Sequence, residues 1–255
     1  MIISSYLLSS STPVSGNTAE MILEQRSFRQ AEVEETVHVL KSLNTGGGQQ
    51  IHQNNSRKEG QYLTSFTNRL DFTNLVMGGH SFGATLALQA LSDSTIPAKA
   101  GLAFDPGKSS GPLNSNFNQP VLIPDSESWS AEPSEFYGQQ HFQVVKEIAQ
   151  SALNRTGDSW FMTLLGTAHT SITDAPLLVS SSLLGFFDPA SVNVTLGDAG
   201  KNIQQYVKVS AELFEFLRNG TRNGVLASGV TVSGHKSKRK SSKPRFYAFS
   251  TNQPT

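Results

Sequence analysis

The stretch Phe72-Thr73-Asn74-Leu75-Val76-Met77-Gly78-Gly79-His80-Ser81-Phe82-Gly83-Ala84-Thr85-Leu86-Ala87-Leu88-Gln89-Ala90-Leu91 decides how the rest of the chain is read. Its first part, Phe72 to Met77, is a short apolar run ending in glycines, which suits a buried parallel strand. Ala84 to Leu91 are good helix formers with few polar interruptions, so a buried helix is expected to follow. Between the two lies Gly79-His80-Ser81-Phe82-Gly83, a G-x-S-x-G pattern. In that pattern the serine sits on a strained strand-to-helix turn, and the flanking glycines let the strand and helix backbones approach. The bare pattern is common by chance; the strand before it and the helix after it are the context it requires. Ser81 is therefore the candidate nucleophile, and Gly79 and Gly83 the glycines of its turn.

Further along, Ala98 to Phe104 reads as a strand closed by Asp105-Pro106-Gly107, and Val121-Leu122-Ile123 as one stopped at Pro124-Asp125. Phe136 to Leu153 reads as a helix. Trp160 to Leu165 reads as a strand leading to Gly166-Thr167-Ala168-His169. Strands alternating with helices predict a parallel sheet with helices on both faces. Before the elbow, Leu23, Val33, Val37, Leu40 and Leu43 recur at mostly helical spacing, giving a surface helix from about Glu20 to Leu43. It ends in Asn44-Thr45-Gly46-Gly47-Gly48, and the polar run through Gly60 has little to bury. Residues 44–60 are thus expected as a flexible loop that interrupts the domain. Ile203, Val207, Leu213, Phe214 and Leu217 form the apolar stripe of a last helix, stopped by Asn219-Gly220. The domain is expected over 1–220. Residues 221–255, with Lys236-Ser237-Lys238-Arg239-Lys240, are expected as a basic, disordered tail.

The 255 residues fit one ordinary domain. Twenty basic residues balance 20 acidic ones, so no global field gathers nucleic acid or anionic membrane. With no cysteine there is no disulfide, no thiolate nucleophile and no cysteine-based zinc site. No His/Asp/Glu set has metal-ligand spacing in the sequence, so neither metal nor cofactor is expected. Asn-x-Ser/Thr triplets begin at Asn54, Asn154, Asn193 and Asn219, acceptors for glycans only in a secreted chain. The run Met1 to Leu8 is apolar but short and lacks a basic n-region, so it does not match a signal peptide. A cytoplasmic location is the expectation. No stretch is long enough to span a bilayer.

A serine hydroxyl needs a base to take its proton and an acid to orient that base. With a strand-end elbow of this kind the chain order is Ser, acid, His. Of the histidines after Ser81, His141 falls inside an expected helix and His235 in the basic tail. His169, directly after an expected strand, is the candidate base. His80 is expected as a packing or hydrogen-bonding neighbour of the nucleophile. For the acid, Asp105 ends the first strand after the elbow and Asp125 ends the next; spacing alone does not choose between them.

Three segments resemble the intracellular and plasma platelet-activating-factor acetylhydrolases. They are Leu70-Asp71 through Gly79-His80-Ser81-Phe82-Gly83-Ala84-Thr85, Gly101-Leu102-Ala103-Phe104-Asp105, and Leu164-Leu165-Gly166-Thr167-Ala168-His169. Leu183-Leu184-Gly185-Phe186-Phe187 and Leu213-Phe214-Glu215-Phe216-Leu217 are similar to that family's closing helices. The resemblance spans roughly residues 21–219 and implies the α/β-hydrolase fold. It also implies Asp105 as the triad acid, the backbone N–H of Phe82 as an oxyanion donor, and hydrolysis of short sn-2 acyl groups of phospholipids. Two departures stand out. Pro106-Gly107-Lys108-Ser109-Ser110-Gly111 replaces the family's apolar and aromatic residues after the acid. The first strands of the fold are expected to be missing, because only Ile2 to Leu8 offers an extra strand before the elbow. The alternatives are a general esterase or lipase, or an inactive truncated remnant. The stretch from Pro176-Leu177-Leu178-Val179 to Phe186-Phe187 is expected as a core helix, with peripheral lipid contact as its second reading.

Overall fold

The structure is a computed structural model that describes residues 18–179, 183, 196–228 and 246–249. A five-stranded sheet runs in the order β1 (Val76–His80), β2 (Ala100–Phe104), β3 (Val121–Ser126), β6 (Trp160–Leu164) and β7 (Phe246–Phe249). The first four are mutually parallel, and β7 lies antiparallel to β6. Strands β4 (Glu135–Phe136) and β5 (Gln139–Gln140) form a separate small hairpin. The α/β architecture expected from the alternation of strands and helices is present, with an antiparallel fifth strand added. Among the described residues the elbow strand β1 lies at the sheet's edge.

Side chains of successive strand residues point to opposite faces, and here each face meets its own helices. Val121 and Ile123 of β3 and Phe161 of β6 join Ala84 and Leu88 of α3 (Phe82–Ala90) and Val145, Ile148, Ala149 and Ala152 of α5 (His141–Thr156). Val37 of α1 (Thr18–Asn44) packs outside α3 in the same cluster. On the other face Leu122, Trp160, Met162 and Leu164 meet Tyr206, Val209 and Leu213 of α7 (Leu196–Asn219). A strand covered on both faces must be apolar at consecutive positions, which is why these runs do not alternate.

Several boundaries differ from the sequence reading. Phe72–Asn74 is a 3₁₀ turn rather than strand, because the Asp71 carboxylate accepts the Thr73 N–H at 2.8 Å and closes the turn locally. Strand β1 instead runs through the glycines to His80. Strand β3 continues through Pro124 to Ser126. Proline is tolerated there because its carbonyl still accepts the Asp105 N–H at 3.2 Å, while the paired register with β2 stops at Leu122. The expected helix from Phe136 begins only at His141. Tyr137 and Gly138 both have positive φ, 51° and 81°, the geometry of a two-residue hairpin turn. His141 therefore opens a helix instead of lying within one.

Residues 44–60, expected as a flexible loop, contain α2 (Gly48–Asn54). Gly48 is buried so closely on the Leu63 backbone that a side chain there would collide with it. The Asn44 side chain bonds both the N–H and the carbonyl of Leu70, at 2.9 and 3.0 Å. Packing and a bridging amide thus supply what hydropathy did not. Of the stripe assigned to the last helix, Leu213 is buried and Leu217 packs on the second core, whereas Val207 and Phe214 are exposed and Tyr206 and Val209 face the core in their place.

The expected tail also departs from its reading. Val225 and Leu226 are buried in the second core, the Trp160 indole donates to the Leu226 carbonyl at 3.1 Å, and Arg222 bonds Asp158 at 2.7 Å. Residues 246–249 supply β7. Lys236 to Lys240, Ile2 to Leu8 and Phe186-Phe187 lie outside the described residues. No helix among the described residues is long and apolar enough to cross a membrane.

Candidate active site

Ser81 stands between β1 and α3 with φ 58° and ψ −121°, a backbone conformation that costs an L-residue about 1–3 kcal/mol. The surroundings over-determine it. The Ser81 N–H donates to the Phe104 carbonyl at 3.0 Å, and the Ser81 carbonyl accepts from Ala84 N–H at 3.0 Å. Gly79 has no room for a side chain, since a Cβ there would land on the Gly83 backbone. A Cβ on Gly83 would meet nothing within 4 Å. The two glycines of the pattern therefore differ: Gly79 is required by close approach, and Gly83 is the backbone it approaches. Phe82 is the first residue of α3. Helix N–H groups at that position have no acceptor within the helix and carry the positive end of its dipole.

Asp105 follows β2 with φ 47° and is fully buried. Its Oδ1 accepts the Ser126 N–H, and its Oδ2 accepts the Ser126 hydroxyl at 2.8 Å. The same Oδ2 lies 2.9 Å from His169 Nδ1. His169 Nε2 lies 3.1 Å from Ser81 Oγ. A carboxylate only accepts, so Nδ1 carries the proton and Nε2 presents its lone pair to the serine hydroxyl. Ser81, His169 and Asp105, chosen in the sequence as candidates, are thus brought into one hydrogen-bonded chain.

Asp125 is not part of it. It is fully buried, and neither carboxyl oxygen has a hydrogen-bond partner among the described residues. Burial, and then the charge of Asp105, push its carboxyl well above the usual range, which favours the protonated form. His80 packs its ring 4.4 Å from that of His169, tilted by 38°. Burial and the neighbouring His169 push His80 down to about 4, which keeps it neutral.

One arrangement escaped the sequence reading, which found no metal-ligand spacing: single ligand atoms of His80, Asp105 and His169 lie within 4.8 Å of one another. Folding brings together three residues that are far apart in the chain. The hydrogen bond between Nδ1 and Oδ2 already uses one atom each of His169 and Asp105.

The supporting residues were also missed. The short helix α4 (Glu127–Ala131) is bonded to the loop that carries His169. Gly166 N–H donates to Glu127 Oε2 at 2.7 Å, Ser128 N–H to the Thr167 carbonyl at 3.2 Å, and His169 N–H to Ser128 Oγ at 3.1 Å. Ser126, the N-cap of α4, holds Asp105. The signal was a serine directly before a short helix at a strand end, which sequence alone reads as a cap.

A covered parallel sheet with a serine at a strand-to-helix turn, hydrogen-bonded through histidine to aspartate, is the arrangement that α/β-type serine hydrolases use. The chain belongs to the platelet-activating factor acetylhydrolase, isoform II, family, whose model matches residues 9–222. No curated protein matches the chain. Among solved structures, a ferulic acid esterase from Streptomyces cinnamoneus aligns at 18% identity and a TM-score of 0.49. The alignment covers 84% of this chain and 54% of that one, so this chain spans about half the length of that structure.

Proposed function

We propose that the chain is a serine carboxylic ester hydrolase resembling 1-alkyl-2-acetylglycerophosphocholine esterase, removing short sn-2 acyl groups from phospholipids through an acyl-enzyme. The observation that carries this reading is the Asp105–His169–Ser81 hydrogen-bonded chain at the ends of β2, β6 and β1 in a member of this family. Ser81 Oγ attacks the ester carbonyl and passes its proton to His169 Nε2. Asp105 fixes the tautomer and stabilises the imidazolium that forms. The oxyanion develops against the Phe82 N–H at the head of α3. Nε2 then returns its proton to the departing glycerol oxygen. In the second half, water loses a proton to Nε2 and adds to the acyl carbon, and Ser81 leaves as the hydroxyl.

The second reading, a general ester hydrolase, is favoured by Pro106 to Gly111. Pro106, Gly107, Ser110 and Gly111 are buried, and the Gly107 N–H and Ser110 hydroxyl both bond Thr85, so polar contacts occupy the segment after the acid. Leu177 and Leu178 are exposed on α6 (Ala175–Leu178) and would supply the peripheral lipid contact.

Two measurements test the proposal. Ser81→Ala should abolish labelling by a fluorophosphonate probe, and equal labelling of the variant would remove Ser81 from the chemistry. Acetate release from a short-chain sn-2 phosphatidylcholine, set beside release from nitrophenyl acetate, separates the phospholipid reading from the general one.

A further inference from the structure

Trp129 lies flat on His169. Their ring centroids are 3.8 Å apart and their planes 11° from parallel. The indole is anchored at both ends. Its Nε1–H donates to the Pro106 carbonyl at 3.0 Å, in the segment that follows Asp105. Its backbone N–H donates at 3.3 Å to the Ser126 hydroxyl, the same group that holds Asp105. Lys108 Nζ lies over the indole, 4.3 Å from the ring centroid. A 3.8 Å stack leaves no space for an ammonium between the rings, so Lys108 occupies the opposite face. Bonds to the Trp129 carbonyl at 3.0 Å and to the Glu132 carbonyl and Oε2, each at 3.2 Å, fix Lys108 in turn.

We infer that Trp129, clamped by Lys108, is the positioning residue that holds the His169 ring in the plane from which it reaches both Asp105 and Ser81. The inference rests on the catalytic roles proposed above for those three residues. His169 opens a 3₁₀ turn of four residues after β6, so no long helix or strand fixes its ring. The χ2 preference of histidine is broad. Hydrogen bonds at its two nitrogens define an axis but resist tilting about that axis only weakly. A parallel indole face supplies the missing restraint, and the tilted His80 ring at 4.4 Å is a looser neighbour. The face of an indole attracts positive charge, and His169 becomes positive as it takes the proton from Ser81. The stack therefore acts on geometry in the ground state and on charge in the transition state.

The test uses the full chain with nitrophenyl acetate, a fluorophosphonate probe and tryptophan emission. Trp129→Leu should lower kcat by roughly 10-fold, in line with loss of a stacked cation, with little change in KM. Trp129→Phe should restore most of it. The chain has two tryptophans, Trp129 and Trp160, so the difference between wild type and Trp129→Phe isolates the emission of Trp129. Removing the ring stacked at 3.8 Å should change that emission in His169→Gln. A Trp129→Leu enzyme with wild-type kcat, or Trp129 emission that His169→Gln leaves unchanged, would overturn the inference. If Ser81→Ala is labelled like wild type, the catalytic reading has failed instead, and the emission arm still decides whether the stack exists.

Discussion

A side chain on Gly79 would strike the backbone of Gly83, while a side chain on Gly83 would meet nothing within 4 Å. The contact is one-sided because the strand's last turn passes directly against the start of α3. This turn holds Ser81 at positive φ, so its two glycines have unequal importance for the site.

The substitutions should separate accordingly. Gly79→Ala should cost at least about 2 kcal/mol through overpacking against backbone that has little freedom to move. Gly83→Ala should leave the fold intact and raise stability by about 0.5–1 kcal/mol through helix propensity. Thermal melts of the two variants measure both outcomes, and equal destabilisation would contradict the one-sided contact.

The three acidic-site substitutions should rank in a fixed order. Asp105→Asn should lower kcat by about 10⁴-fold, because the amide favours the wrong tautomer of His169. Ser126→Ala removes the hydroxyl at 2.8 Å from Asp105 and leaves its N–H, so about a 10-fold loss is expected. Asp125→Asn, which has no bond to the histidine, should change kcat little. Steady-state kinetics on a common ester checks the ranking.

Asp125 should instead govern stability. Its folded-state pKa lies well above the ordinary 3.8, so the folded protein holds a proton that the unfolded chain has released. Its contribution is unimpaired below pH 3.8 and is lost as pH rises above that, by up to about 1.4 kcal/mol per pH unit. Asn mimics the neutral carboxyl and does not ionise. The stability of Asp125→Asn relative to wild type should therefore grow as pH rises, as denaturant titrations at several pH values would show.

His141 should act with the opposite sign. Burial, and then the Lys108 charge, lower it from 6.5 to about 4, so over that interval the unfolded chain binds the extra proton. Stability is complete above 6.5 and is lost as pH falls towards 4. The ring sits at right angles between Phe136 and Trp129, which a phenyl ring can also fill. His141→Phe should therefore flatten the acid loss by up to about 1.4 kcal/mol per pH unit.

The covered sheet was legible because a strand buried on both faces leaves a run such as Val121-Leu122-Ile123, and a strand-to-helix elbow leaves two glycines around a serine. Ser81 and His169 were legible for the same reason: each lies beside a strand end that local sequence marks. Strand and helix limits were less so. Tyr137 carries no turn signature of its own, yet takes positive φ beside Gly138 and moves the start of α5 to His141. Residues 44–60 looked too polar to order, because a buried glycine and a bridging amide contribute nothing to hydropathy.

The sequence by itself determined the alternation of strands and helices, the strained position of Ser81, and two candidate carboxyls at adjacent strand ends. Spacing did not choose between those carboxyls and the family resemblance pointed to Asp105; the tertiary structure is what joins Asp105, and not Asp125, to His169. Asp105 turns at positive φ to receive Ser126 and His169, while Asp125 is sealed without a partner. The choice depends on the direction each side chain takes from its strand end and on donors contributed from distant parts of the chain. Local sequence encodes neither. The stack of Trp129 on His169 is of the same kind, since two rings 40 positions apart become parallel only when α4 is bonded to the loop after β6.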